Sequence, residues 1–296
     1  MRRNLALRVP IRLSSRQILR SEEPTIYTVS PLEPVVGIAK YASEANLLFS
    51  TPCKYLSPKE LGYALPSQNI PEFAFIGRSN VGKSSLIDVL LSERGLVRIS
   101  KEPGCTRTIN YFGFIKKGST QSPTMYIIDL PGYGYAKVSK ESRSQWKNIT
   151  EGYFKSREFT TLRRVYVLVD SRHGIKESDR EVFDMLNTCH LPYQIILTKS
   201  DLCDSSTLVK TLKSAFDDVM DSPLRHHCMP FIHVVSSRKS YGIDALKQSM
   251  TEIFLQDIGV EKGIQNSKSV FDDMDEETLM SSLSSLGVDL RDDERR

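Results

Sequence analysis

The segment from Gly77 to Ser84 constrains this chain more than any other, because it matches the pattern G-x-x-x-x-G-K-[ST] in full. A short apolar run, 73–76, precedes it, and apolar residues at helical spacing follow it in 85–91. A strand that turns through glycines into a helix directs backbone N–H groups and the positive helix end at one point. The segment therefore predicts a phosphate cradle, rather than a glycine-rich turn that fits the pattern by chance.

The same pattern predicts a role for individual residues of this loop. We expect Lys83 to reach the outer phosphates of a nucleotide and the Ser84 hydroxyl to bind Mg²⁺. The predicted phosphate-binding residues are Gly77, Arg78, Ser79, Asn80, Val81, Gly82, Lys83, Ser84 and Ser85, with Gly132 from a later turn.

Two later apolar runs also end in polar motifs. Residues 125–128 are followed by Asp129-Leu130-Pro131-Gly132, where the carboxylate can hold Mg²⁺ through water and the glycine N–H can approach a terminal phosphate. Residues 193–197 are followed by Thr198-Lys199-Ser200-Asp201. A carboxylate there can accept two hydrogen bonds from the N–H edge of guanine, which adenine lacks. Each motif alone is weak, but three in this order at strand ends predict a guanine-nucleotide site.

Two of these stretches carry a family resemblance. Residues 77–86, together with the stretch from Asp129 to Lys137, resemble the EngB (YihA/YsxC) family of ribosome-assembly GTPases, and the similarity covers roughly residues 70–258. The resemblance implies a GTPase that binds GTP and GDP and acts on the large ribosomal subunit or its rRNA. Within that family, the chain resembles the organellar, eukaryotic members.

The resemblance also implies further site residues. Ser236, Ser237 and Arg238 stand where related GTPases place a backbone N–H on the guanine oxygen, so with Thr198, Lys199 and Asp201 they complete the predicted guanine site. In the loop 98–108, the threonine that coordinates Mg²⁺ aligns with Thr106, and Thr108 is the alternative. The implied magnesium ligands are Ser84, Thr106 and, through water, Asp129; the implied catalytic residues are Lys83, Thr106 and Gly132.

Two features bear on how fast GTP would be hydrolysed. Many GTPases have a glutamine after D-x-x-G to orient water, but here Tyr133 follows Gly132. We therefore expect slow hydrolysis without help from a partner or an ion. Asn80 matches an asparagine that holds K⁺ in several relatives of the family, and a hydrogen bond within the loop is its alternative role.

The order of strand-like and helix-like segments predicts the fold. They alternate along the chain, which favours an α/β, doubly wound P-loop GTPase fold with helices on both faces of a mostly parallel sheet. One strand, 111–115, is expected to be antiparallel. The predicted units are an N-terminal extension at 25–69, a GTPase domain at 70–258 and an acidic, disordered tail at 259–296.

The first 24 residues have the composition of a targeting segment. They contain six arginines and no acidic residue before Glu22, which is typical of an organellar transit peptide. We expect a mitochondrial matrix protein, with a cytoplasmic protein as the alternative and an RNA-binding basic arm as the other interpretation of this segment.

The segment from Lys137 to Arg157 combines basic and aromatic residues on a predicted helix, 139–159. A solvated helix face and a surface for ribosomal RNA both fit this pattern. Its closeness to the D-x-x-G turn favours RNA.

The overall composition excludes few classes of protein. The net charge is +4 on 296 residues, and no apolar run approaches the ~20 residues that a membrane span requires. We expect a monomer without a membrane span. A P-loop kinase for small molecules is disfavoured because no acceptor-substrate motif is visible, whereas a nucleotide-gated placeholder with negligible turnover remains the alternative to a hydrolysing switch.

Overall fold

The computed structural model describes residues 26–28, 41–56, 66, 69–92, 108–115, 123–134, 140–220 and 227–261. Within these residues the strands are β1 (Ile26–Thr28), β2 (Cys53–Leu56), β3 (Glu72–Gly77), β4 (Asn110–Ile115), β5 (Pro123–Asp129), β6 (Leu162–Asp170), β7 (Tyr193–Thr198) and β8 (Cys228–Val234). The helices are α1 (Ala42–Phe49), α2 (Lys83–Leu90), α3 (Lys140–Lys155), α4 (Glu177–Thr188), α5 (Ser205–Met220) and α6 (Ile243–Glu261).

The described strands form a single sheet in the order β1-β8-β7-β6-β3-β5-β4-β2. Strands β5, β3, β6, β7 and β8 are parallel neighbours in this sheet. Strand β4 pairs antiparallel with β5, as the sequence predicts. The doubly wound P-loop GTPase class is confirmed.

The sheet is more mixed than one antiparallel strand would make it. Strand β1 also runs antiparallel, against β8, and β2 pairs antiparallel with β4. Both come from the predicted N-terminal extension, which therefore supplies the two edges of the sheet in its described part. These strands have only 3 and 4 residues, so they are too short to show a recognisable alternation of apolar and polar residues in the sequence.

Helices cover both faces because the buried strands alternate their side chains. In β3, Ala74 and Ile76 pack with α3, α4 and α5, while Phe73 and Phe75 pack with α1, α2 and α6. Helix α1 buries Leu48 and Phe49 in the second of these clusters. The parallel strands consequently place their carboxyl ends along one edge of a rigid, two-sided core.

Several predicted segments lie outside the described residues. They are the transit peptide at 1–24, most of the loop 98–108 and the tail from 262 onward. Within the described residues, α6 continues to Glu261, three residues past the predicted domain end at 258. No helix in the described part of the chain is long and apolar enough to cross a membrane.

Candidate nucleotide-binding site

The phosphate loop joins β3 to α2 at the carboxyl edge of the sheet. Gly77 lies so close to β6 that a Cβ atom there would be 3.0 Å from the Leu168 carbonyl oxygen and 2.8 Å from a methyl of Val81. Gly82, directly before α2, has φ +106°, a conformation that side chains disfavour. Glycines at these positions let the chain turn tightly and direct the first N–H groups of α2 into the loop.

Lys83 and Asp129 form an ion pair at the floor of this loop. Lys83 begins α2 and Asp129 ends β5, and their residues are only 9% and 1% exposed, so the pair is shielded from water. Ser84 follows Lys83 in the first turn of α2. A buried carboxylate and a nearby hydroxyl supply the oxygen ligands that Mg²⁺ prefers, so these residues fit the predicted metal.

The guanine motif is bonded directly to the phosphate loop. The Thr198 hydroxyl, at the end of β7, donates to the Val81 carbonyl over 2.7 Å. The Lys199 ammonium donates to the Asn80 carbonyl. It also forms an ion pair of 3.0 Å with Asp170, the last residue of β6. Asn80 and Lys199 both have positive φ, +64° and +56°, which is uncommon outside glycine and clusters at functional sites.

Asp170 is a site residue for which the sequence analysis predicted no role. Burial alone raises the pKa of its carboxyl, but hydrogen bonds from Arg172 and Lys199 outweigh that effect and lower the pKa well below its usual range. The Arg172 guanidinium contacts both carboxylate oxygens, at 2.9 and 2.8 Å. Asp170 thus stays charged and fixes Lys199 over the loop. An aspartate at the end of an apolar strand was the available signal.

Asp201 and Ser236 meet at the far end of the site. The Ser236 hydroxyl donates to an Asp201 carboxylate oxygen over 2.6 Å and accepts from the Lys239 N–H at 3.1 Å. Ser236 is fully buried, Ser237 is half-buried and Arg238 is exposed. The structure therefore brings both parts of the predicted guanine site together and holds one carboxylate oxygen of Asp201 in place.

The D-x-x-G turn lies against the phosphate loop. The Ser79 N–H donates to the Tyr133 carbonyl over 2.8 Å, and the Tyr133 N–H donates to the Gly77 carbonyl over 3.3 Å. A Cβ atom on Gly132 would come 3.3 Å from the Gly77 carbonyl oxygen. Gly132 is therefore held at the rim of the loop, where sequence analysis places a phosphate contact.

The Tyr133 side chain points away from that rim. It is 5% exposed, and its hydroxyl donates to an Asp179 carboxylate oxygen over 2.6 Å. Its ring lies 5.5 Å from that of Trp146, centroid to centroid. The Trp146 indole N–H in turn donates to the Pro131 carbonyl over 2.8 Å. A buried side chain held in this way has no freedom to orient water.

Some predicted residues have no described contact in the site. Thr106 lies outside the described residues, and its alternative Thr108 is exposed at the start of the segment 108–115. The described residues therefore do not show whether Thr106 or Thr108 is the magnesium ligand. Ser85 is exposed. Arg78, by contrast, is half-buried and does make a contact in the loop, because its carbonyl accepts the Val81 N–H over 3.0 Å. The potassium role of Asn80 stays a prediction.

The protein comparisons agree with this geometry. A family described as "50S ribosome-binding GTPase" matches residues 72–199. A probable GTP-binding protein EngB from Rhizobium etli is 43% identical over 191 residues, which cover 64% of this chain and 85% of the relative. The namesake from Bartonella quintana is 38% identical over 218 residues, covering 73% and 98%.

The chain belongs to the EngB family. It is a GTP-binding P-loop GTPase, as predicted. The crystal structure of a probable GTP-binding protein engB is 24% identical, with a TM-score of 0.45, covering 62% of this chain and 99% of that one.

The predicted RNA surface needs one correction. Arg157 is 6% exposed and buried in an ion pair of 2.8 Å with Glu72, so it is not part of a solvent-facing basic surface. On α3, Arg143 is exposed but forms an ion pair of 2.6 Å with Glu181 on α4, and Lys155 pairs with Glu151 at 2.6 Å. The aromatic residues Trp146, Tyr153 and Phe154 pack in or against the core rather than on an exposed surface. The described face of α3 is mixed in charge rather than strongly basic.

Proposed function

We propose that this chain is a GTP-operated switch in the assembly of the large ribosomal subunit of mitochondria, with slow Mg²⁺-dependent hydrolysis. The observation that carries the proposal is the direct bonding between the two nucleotide motifs. Thr198 and Lys199 donate to the carbonyls of Val81 and Asn80. A guanine base and its phosphates would therefore be held by one continuous rigid unit.

Selectivity for guanine follows from Asp201. Ser236 occupies one carboxylate oxygen and fixes the side chain, which leaves acceptor capacity for the two N–H groups on the guanine edge. Adenine would leave that charge unpaired. The Ser236–Arg238 turn would complete the base contacts.

Charge stabilisation at the phosphates is assigned to Lys83 and to the metal ligands. Mg²⁺, when bound, would neutralise charge on the phosphate oxygens. Ser84 and Asp129 would hold it, together with Thr106. Lys83 would turn from Asp129 toward the outer phosphates, and the Gly132 N–H would bond the terminal one.

Slow hydrolysis is supported by the burial of the Tyr133 side chain, which directly follows Gly132. Its side chain is buried against Asp179 and Trp146, so the position that carries glutamine in many GTPases supplies no group to orient water. Hydrolysis would then depend on a group from outside this chain, either a partner or a K⁺ ion near Asn80.

The ribosomal partner is supported by the match to the family described as "50S ribosome-binding GTPase". We expect co-sedimentation with mitochondrial large subunits in the presence of a GTP analogue, and weaker co-sedimentation with GDP. Equal binding in both nucleotide states would contradict a switch. Single-turnover hydrolysis with and without subunits then separates the switch from a placeholder, because a placeholder shows negligible turnover in both.

The location in mitochondria is supported by the arginine-rich segment 1–24 alone. A reporter fused to this segment should enter the matrix, and replacing its arginines together should leave the reporter in the cytosol. A reporter that stays cytosolic with the native segment would favour the cytoplasmic alternative and a basic arm.

A further inference from the structure

A buried polar contact ties the D-x-x-G turn to a helix outside the nucleotide motifs. The Tyr133 hydroxyl donates to Asp179, the third residue of α4, over 2.6 Å. The other Asp179 oxygen accepts the Lys176 N–H at the start of α4 over 2.7 Å. Asp179 is fully buried and Tyr133 nearly so. The carboxylate is therefore held by the helix on one side and by the turn on the other.

Several groups act on the charge of Asp179. Burial raises the pKa of the Asp179 carboxyl above its usual value, and the hydrogen bonds from Tyr133 and Lys176 and the positive charge of Arg78 offset only part of that effect. Arg78 belongs to the phosphate loop, and its Nε lies 3.3 Å from where a Cβ of Gly134 would be. The loop, the turn and α4 thus meet at one carboxylate.

We propose that Asp179 is a positioning residue for the D-x-x-G turn: by holding Tyr133, it keeps Gly132 at the rim of the phosphate loop. The proposal rests on the proposed function, because it assigns Gly132 a bond to the third phosphate of GTP. GDP lacks that phosphate, so its affinity does not depend on where Gly132 lies. Asp179 therefore sets how strongly the site prefers GTP over GDP.

The direction of the effect follows from the bonds of the turn. Tyr133 is fixed at both ends, by its backbone to Ser79 and Gly77 and by its hydroxyl to Asp179. Loss of the hydroxyl bond leaves the turn held by its backbone bonds and by the Trp146 N–H bond to the Pro131 carbonyl, without its anchor on α4. The free turn would have to be ordered when GTP binds, which lowers the affinity for GTP alone.

The test compares Tyr133→Phe with Tyr193→Phe. Tyr193 is also a buried tyrosine of the same core; it is stacked on Phe183 and begins β7, at the end of the strand opposite to Thr198. We expect Tyr133→Phe to lower the affinity for a non-hydrolysable GTP analogue by about 5-fold to 150-fold relative to GDP, the usual range of coupling between sites. Tyr193→Phe should leave the ratio of the two affinities unchanged.

A second variant separates positioning from general stability. Asp179→Ala, which leaves the Tyr133 hydroxyl without this side-chain partner, should reduce the same ratio in the parent but add nothing in the Tyr133→Phe background, because the bond is already lost there. Trp146 is the single tryptophan of the chain and packs on Tyr133. Its emission should therefore differ between the GTP-analogue and GDP states in the parent, and differ less in Tyr133→Phe.

The outcomes distinguish the two proposals. A parent chain that binds neither nucleotide overturns the proposed function. A parent that binds both, together with an unchanged affinity ratio in Tyr133→Phe, overturns the role of Asp179 and leaves the proposed function standing. An equal loss of affinity for both nucleotides in Tyr133→Phe also overturns it, because that result describes a damaged fold rather than a positioned turn.

Discussion

The hydroxyl of Thr198 donates to the backbone carbonyl of Val81 over 2.7 Å, across 117 residues of sequence. Thr198 is the first residue of the guanine motif, and Val81 lies in the middle of the phosphate loop. A second acceptor, the Val169 carbonyl on β6, lies 3.3 Å from the same hydroxyl. The position of the base site is thus set by the loop that would hold the phosphates.

Thr198→Val removes this bond and keeps the shape of the side chain. We expect the affinity for both GTP and GDP to fall by roughly 5-fold to 30-fold, since an unsatisfied buried carbonyl costs about 1–2 kcal/mol. Titration calorimetry with each nucleotide measures the effect. Thr251→Val is the matched control, because Thr251 is equally buried and bonds only within α6. Unchanged affinity in Thr198→Val would show that the two motifs act independently.

Asp201 is expected to decide the choice of base. Asp201→Ala should reduce the preference for guanine over adenine nucleotides by about 3 kcal/mol or more, over 100-fold, because the guanine N–H groups would donate to a charged carboxylate. Ser236→Ala should give a smaller loss, since it frees the carboxylate without removing it. Competition between GTP and ATP measures both. Asp217, an exposed residue of α5, is the control position. A Asp201→Ala variant that still prefers guanine fully would refute the assignment.

Lys83 and Ser84 should respond differently to metal. Lys83→Ala should abolish nucleotide binding and destabilise the fold, because it leaves Asp129 charged and buried without its partner. Ser84→Ala should weaken binding mainly when Mg²⁺ is present. Measurements with Mg²⁺ and with a chelator separate the two cases. Equal weakening of Ser84→Ala in both conditions would contradict a metal ligand at this position.

The sequence predicted most of the site because its residues are local in sequence. Gly77–Ser84, Asp129–Gly132 and Thr198–Asp201 each follow an apolar strand, and parallel strands bring their ends together. The alternation of buried residues in β3 and the helical spacing after it are equally local signals. Such patterns can be recognised without knowledge of distant contacts.

What the sequence could not predict depends on distant partners. Asp170 acts through Lys199, and Asp179 through Tyr133, 46 residues away. Arg157 lies in a basic stretch, yet its partner Glu72 is 85 residues away in β3. The pattern of basic residues along the chain therefore predicted, wrongly, that Arg157 belongs to the solvent-facing RNA surface. The edge strands β1 and β2 are too short to show a period of their own.

His233 should make stability depend on pH. Burial, with a smaller effect of Arg164, lowers the pKa of His233 to about 3, and neither ring nitrogen has a hydrogen-bond partner among the residues that the structure describes. The unfolded chain takes up this proton below about pH 6.5, whereas the folded chain does not. Stability is therefore present above that pH and is lost as pH falls toward the folded pKa.

The size of this loss can be measured against a variant. Between pH 7 and 5 the free energy of unfolding should fall by about 2 kcal/mol more in the parent than in His233→Leu. Urea unfolding at several pH values gives both numbers. An equal fall in the two proteins would mean that His233 is already protonated, or exposed, in the folded state.

The buried Arg157 and the exposed Lys147 should separate stability from binding to ribosomal particles. Arg157 pairs with Glu72, which also accepts from the Tyr153 hydroxyl over 2.7 Å. Arg157→Ala should cost about 3–5 kcal/mol of stability, because it leaves the Glu72 carboxylate buried and unpaired. The double variant Glu72→Gln with Arg157→Met should recover part of that loss.

Lys147→Ala together with Arg143→Ala should change stability by under about 1 kcal/mol. If α3 contacts RNA, this double variant should instead bind particles more weakly and with a flatter salt dependence. With fewer phosphate contacts, its binding releases fewer counterions. Urea unfolding and co-sedimentation at several salt concentrations measure the two effects. Weaker particle binding in Arg157→Ala at unchanged stability would return Arg157 to the RNA surface, and unchanged binding in the α3 pair would make that face a solvated one.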